Sequence, residues 1–172
     1  SMNNTCQVCH RETEEDLRNT VYQRQRSADQ IRTLAEKELS TAHIEAQFAW
    51  EKGATESQMK PVLALLRQSQ WRWDYVVASH GASFHSPVEY QRIMALSLDK
   101  AHKARFEVGK VLAQLGFTGE VPMPDISTKA KAQAYIGLDM DKERADKEVF
   151  LEKVVPEWIE TAKANNRIVS LK

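Results

Sequence analysis

Apolar and small residues recur at Leu17, Val21, Ala28, Ile31, Ala35, Ala42, Ala46 and Ala49, three, four or seven positions apart. This is the period of one helix face. Thr13 ahead of Glu14, Glu15 and Asp16 reads as an N-cap followed by acids suited to a helix dipole. No proline or glycine interrupts the chain until Gly53, which fits a C′ position. One helix over about 14–52 is predicted. Thr55-Glu56-Ser57-Gln58 is a capping box for a second helix, about 56–80, with Pro61 expected to delay its regular part. That helix carries Val62, Leu65, Leu66, Trp71, Trp73, Tyr75, Val76 and Val77, and its aromatics make it the expected centre of the core. Ser86-Pro87-Val88-Glu89 opens a third helix, about 87–115, with Ser86 as cap and Pro87 at N1. After a proline-bearing loop, Ser127 is expected to cap a short helix near 128–136. A last helix near 140–164 begins at Asp139 or Asp141 and should be kinked or split by Pro156. No segment reads as a strand, so the predicted class is all-α.

The length of the first helix changes the picture. At 1.5 Å per residue it would reach about 58 Å, whereas a compact domain of 172 residues has a radius of gyration of roughly 16 Å. Its own chain cannot cover it end to end. The expected partner is a second copy, giving a homodimer through the long helices, because the alanine stripe runs the whole length. The alternative is an exposed polar helix held by i,i+4 pairs.

Composition narrows the partners. Lys plus Arg equals Asp plus Glu at 24 each, which argues against nucleic acid as an electrostatic partner. No apolar run approaches the ~20 residues of a spanning helix. Residues 1–2 read as an expression scar, 3–12 as a haem-attachment segment and 13–172 as a helical domain. The expectation is that the natural chain continues upstream.

The chemistry is concentrated at Cys6-Gln7-Val8-Cys9-His10. This is C-x-x-C-H, in which two thiols can add to the vinyl groups of a porphyrin and the histidine can ligate the iron. Cys6 and Cys9 are the only cysteines. A redox dithiol would be expected within a βαβ pattern, and a zinc site would need more ligands. Four further histidines remain. His43 and His102 sit mid-helix among charges. His80 and His85 bracket the turn between the second and third helices, where either could face a haem iron or cap a helix end.

Several strings resemble the pentahaem, ammonia-forming cytochrome c nitrite reductases. They are Cys6 to His10 before a long charged helix, Gly53-Ala54-Thr55-Glu56, Met59-Lys60-Pro61, and Gln70 to Tyr75. Ala78-Ser79-His80-Gly81, His85-Ser86-Pro87, Pro122 to Lys129, Ile136-Gly137-Leu138 and Val154 to Trp158 continue the likeness. The resemblance implies that Cys6 and Cys9 hold the last haem c, with His10 as its proximal ligand. It implies that His85 is the distal ligand of another haem encoded upstream, and that His80 is no ligand. It also implies an upstream haem domain, a homodimer, a periplasmic location, and calcium bound by residues outside this chain. The C-x-x-C-K motif of the catalytic haem is missing. The expected function is therefore the electron-relay and dimer-forming part of a nitrite reductase, inactive alone and haem-free when made without attachment machinery. Two alternatives stay open: a haem-free helical association module, or a self-contained monohaem electron carrier whose second ligand is His43, His80, His85 or a methionine.

Overall fold

A computed structural model describes residues 4–168, and these are all-α. The chain divides into two compact units, one ending at Met123 and one beginning at Pro124. In the first, α1 (Glu14–Glu51), α2 (Glu56–Ala78), α3 (Ala82–His85) and α4 (Pro87–Gln114) follow in order. A single 3₁₀ turn, Cys6–Val8, precedes them.

Local signals set most of the boundaries. The Thr13 hydroxyl accepts from the Asp16 N–H and starts α1. Gly53, at φ +92°, takes the left-handed conformation that reverses the chain. Thr55 and Gln58 then form a complete capping box at the head of α2. Pro61 does not delay that helix. It lies inside a continuous α2, where its missing N–H removes only one bond near the start. Ser86 does not cap α4 through its side chain. The start is set instead by Pro87 at N1, with Tyr90 N–H donating to the Ser86 carbonyl at 3.0 Å. The short α3, between two longer predicted helices, has no signature in the sequence.

Two clusters define the packing. Leu39, Ala42, Ala46 and Ala49 of α1 meet Met59, Val62 and Leu66 of α2 and Ala101, Ala104, Val108, Val111 and Leu112 of α4. Further along, Ala28 and Ala35 meet Val76, Tyr90 and Met94. The matched ends show that α4 runs parallel to α1 and that α2 runs antiparallel to both. Where α2 crosses α4, the buried Ser69 and Ser97 hydroxyls each donate to the other's backbone carbonyl at 2.8 Å. Such small residues let two backbones approach closely.

Two sequence expectations are corrected here. The alanine stripe is not a free dimer face, because Ala28, Ala35, Ala42, Ala46 and Ala49 are buried by α2 and α4 of the same chain. The α2 aromatics are not the core either. The buried stripe is Met59, Val62, Leu66, Ser69 and Val76, and helical spacing turns Trp71 and Tyr75 outward. These two are exposed and stacked on one another, ring centroids 5.5 Å apart. Only the half-buried Trp73 joins both clusters.

Gln91, in the second turn of α4, donates to Ser27 at 3.0 Å, so α4 begins alongside the first third of α1. The start of α1 projects beyond it, and none of residues 14–27 is buried.

In the second unit, Thr128 rather than Ser127 caps α5 (Lys129–Tyr135). Asp139 caps α6 (Met140–Val149), accepting from the Asp141 and Lys142 N–H groups. A π-helical stretch, Phe150–Val154, separates α6 from α7 (Val155–Ala164). Pro156 lacks the N–H that would bond back to Glu152, which accounts for the widened turns before it. Phe150 and Trp158 meet edge to face across that stretch, 5.3 Å between centroids.

Candidate functional site

The projecting part of α1 forms one wall of a cleft. The turn at Cys6–His10 supplies a second wall and α3 a third. The lining consists of Cys6, His10 and Glu12, then Asp16, Leu17, Thr20, Val21 and Arg24 of α1, and finally Phe84 and His85. The α1 residues lie three or four apart, so they share one face. The cleft encloses about 250 Å³.

Compactness of the C-x-x-C-H segment comes from backbone bonds. Cys9 and His10 N–H groups both donate to the Cys6 carbonyl, at 3.2 and 2.9 Å. This folds two thiols and an imidazole into one turn. Both cysteines are free, Cys6 half-buried and Cys9 exposed. The half-exposed His10 places Nδ1 3.5 Å from the Glu12 carboxylate. Nε2 has no partner among the described residues. A carboxylate behind one ring nitrogen is the usual support for a metal-ligating histidine, since it fixes the tautomer and raises basicity at the other. The Glu12 carboxyl sits below the usual carboxylate range, first through its own backbone N–H and, after a smaller opposing desolvation, through His10.

Across the cleft, His85 ends α3. Its ring lies 4.5 Å from that of Phe84, tilted by 51°. Its Nδ1 is beside Gly81, where an added Cβ would come to 3.6 Å. Arg24 Nη1 donates to the Phe84 carbonyl at 2.7 Å, tying α3 to α1.

The structure thus brings together Cys6, His10 and His85, with Cys9 on the same turn as Cys6 and His10. It leaves the other histidines apart. His80 is exposed and outside the cleft lining, His43 is exposed, and His102 pairs with Glu38 at 2.6 Å. Sequence reasoning missed Arg24 and Phe84. Neither lies in a motif, and the α3 turn that makes them relevant was not predicted.

A family model for cytochrome c552 matches residues 1–167. The chain belongs to the cytochrome c552 family. It is 68% identical over 164 residues to a cytochrome c-552 of Bacteroides thetaiotaomicron, covering 95% of this chain and 33% of that protein. It is 64% identical over 167 residues to one from Bacteroides fragilis, covering 97% and 34%. A cytochrome c-552 of Porphyromonas gingivalis is 58% identical over 171 residues, covering 99% and 34%. The chain spans about a third of the length of these curated relatives.

These findings correct the assignment made from sequence. The family description and the relatives' names say cytochrome, and none of them names a reductase. The nitrite-reductase assignment, the reductase parent and its five haems are withdrawn. Calcium entered only through that resemblance and goes with it. The cofactor that a cytochrome c family implies is haem c. The residues here fit it: two unpaired thiols on one turn, an imidazole with a free Nε2, and apolar Leu17, Val21 and Phe84 beside them. No helix among the described residues is long and apolar enough to cross a membrane.

Proposed function

We propose that this chain is an electron-carrying part of a c-type cytochrome, with one haem c attached through Cys6 and Cys9 and His10 as an axial ligand. The observation that carries the reading is the single cleft shared by the C-x-x-C-H turn and His85. When bound, the haem supplies a one-electron redox centre. The chain's own residues do the rest. Cys6 and Cys9 would each supply a thiol to hold the group through a thioether. Glu12 holds the His10 ring through Nδ1. Leu17, Val21 and Phe84 exclude water from one side and lower the local dielectric, one of the levers on haem potential.

His85, alone of the other histidines, lines the cleft with His10, and in this reading it would be a second imidazole able to hold haem iron. Two such histidines would favour outer-sphere electron transfer over substrate chemistry. A second assignment of His85, to a haem held by sequence outside these 172 residues, is favoured by the threefold greater length of the relatives. Near-infrared magnetic circular dichroism of the His85→Ala protein separates them. Loss of the bis-imidazole signature at the Cys6–Cys9 haem supports the first, and retention of it supports the second.

A periplasmic location, where thiols would meet haem and a lyase, is part of the same proposal. An upstream haem domain and pairing of two copies through the long helices belong to the same proposal. The alanine stripe is used within the chain, so pairing would rest on the projecting residues 14–27 and the outer face of α1. Light scattering on the full-length protein tests it, and a monomeric mass would remove pairing from the proposal. The haem assignment is tested by a Soret band that survives acid–acetone extraction. Extractable haem from protein made in its native compartment would overturn it.

A further inference from the structure

We propose that Phe150, Leu151, Trp158 and Ile159 form a docking strip that seats the second unit on the part of the full-length protein lying outside these 172 residues. Such docking is independent of which residues hold haem. The unit has no core. None of residues 124–168 is buried, although a segment this short needs a hydrophobic interior, a disulfide or a metal to hold its shape. Neither cysteine lies in it. The described residues contain no cluster of three or more His, Cys, Asp and Glu side chains able to hold a metal ion. Its helices therefore need a surface from elsewhere.

The pattern of α7 and of the stretch before it suits such a surface. Phe150, Leu151, Val154, Val155, Trp158 and Ile159 recur at the spacing of one helix face. Glu152, Lys153, Glu157, Glu160 and Lys163 hold the intervening and following positions. Leu151 is 51% exposed and Trp158 62%. The π-helical turns sharpen the strip. In an α-helix, residues eight apart diverge by about 80°, yet the Phe150 and Trp158 rings meet edge to face, 5.3 Å between centroids. The widened turns of Phe150–Val154 take up that angle, so Pro156 serves to align the two rings.

Charge and length identify the occupant. The polar side carries three acids and two bases, with Lys163 paired to Glu160 at 2.8 Å. It lacks the basic excess that draws an amphipathic helix to an anionic membrane. This chain covers 33% of one curated relative and 34% of another, so about two-thirds of their length lies outside it. That remainder is covalently continuous with the strip and present at high effective concentration, whereas a second copy must be met by collision.

The test uses the full-length protein carrying a photo-cross-linker on the strip, Trp158→p-benzoyl-phenylalanine, or on the polar side, Glu160→p-benzoyl-phenylalanine. Isotope-labelled and unlabelled chains are mixed and irradiated, and adducts are mapped by mass spectrometry. The expected result is an adduct from position 158 to residues outside this sequence within one chain, and none from position 160. An adduct from 158 to residues 4–123 would overturn the proposal by covering the strip with the first unit. An adduct joining labelled to unlabelled chains would overturn it in favour of a second copy. A helical protein that gives no adduct from 158 would leave the strip in solvent and overturn it too. Should the Trp158 variant fail to fold, Phe150→p-benzoyl-phenylalanine is read in the same way. Hydrogen exchange adds an independent measurement on the full-length protein. Trp158→Ala should speed exchange of the amides of residues 150–162 by roughly a hundredfold or more, while Glu157→Ala leaves it unchanged. Equal rates in the two variants would overturn the seating of the strip.

Discussion

At the scale of single residues, the proposed haem attachment rests on three side chains whose roles differ in kind. Cys6 and Cys9 are free thiols, one half-buried and one exposed, while His10 Nδ1 lies 3.5 Å from the Glu12 carboxylate. Replacing either cysteine by alanine is expected to halve the thioether links, and replacing both should leave only extractable haem. Mass spectrometry of the intact protein would register the missing 1:1 adduct. Glu12→Gln should keep the haem and lower the reduction potential shift that a carboxylate-supported imidazole provides, read by potentiometric titration. Buried alanines carry a different kind of information. Ala42 is fully buried between α1 and its neighbours, so Ala42→Leu is expected to cost about 1–3 kcal/mol through overpacking. Urea unfolding would measure it.

Elements are fixed mainly by their ends. The capping box at Thr55 and Gln58 satisfies two N-terminal N–H groups of α2, and Thr55→Ala should cost about 1 kcal/mol. Equilibrium unfolding with unchanged m-value would confirm that only stability moved. Just ahead of α5, Asp125 accepts from Lys131 and from the Ser127 backbone N–H. Its carboxyl is held below the usual range, first by Lys131 and then by Ser127. A depressed carboxyl stabilises the fold above its unfolded pKa of about 3.9 and loses that contribution as pH falls through the folded value. The group is exposed, so the effect is local. A proton titration of Asp125 by nuclear magnetic resonance should find a midpoint below that of an exposed aspartate, and an ordinary midpoint would contradict the geometry. Helix starts and stops were readable because they depend on residues within four positions of one another. The exceptions are instructive. Ser86 has the sequence of a cap and does not act as one, because its backbone is committed to closing α3. Thr128 caps where Ser127 was expected, because Ser127 is already bound to Asp125 through its backbone.

For the whole molecule, the offset between α1 and α4 is what creates a site. Had α4 begun beside Glu14, residues 14–27 would be buried like the rest of α1, and the C-x-x-C-H turn would have no wall to face. The parallel run of α1 and α4, fixed by the two clusters, also brings α3 to the projecting end. The family match and the fold thus meet at one place, the end of the bundle where the C-x-x-C-H turn lies.

The sequence alone determined that this chain is helical and where its long helices begin and end, and it shows the C-x-x-C-H string of Cys6, Cys9 and His10 on which the proposed attachment rests. Those features are local, written in capping residues, helical period and a five-residue string. It misread which apolar residues are inside, because a stripe of alanines looks the same whether its partner is a second copy or the same chain. Only tertiary packing decided that the alanines face α2 and α4, that Trp71 and Tyr75 face outward, and that His85 rather than His80 shares a cleft with His10. Each of those outcomes depends on contacts between residues tens of positions apart, and no spacing within a helix encodes them.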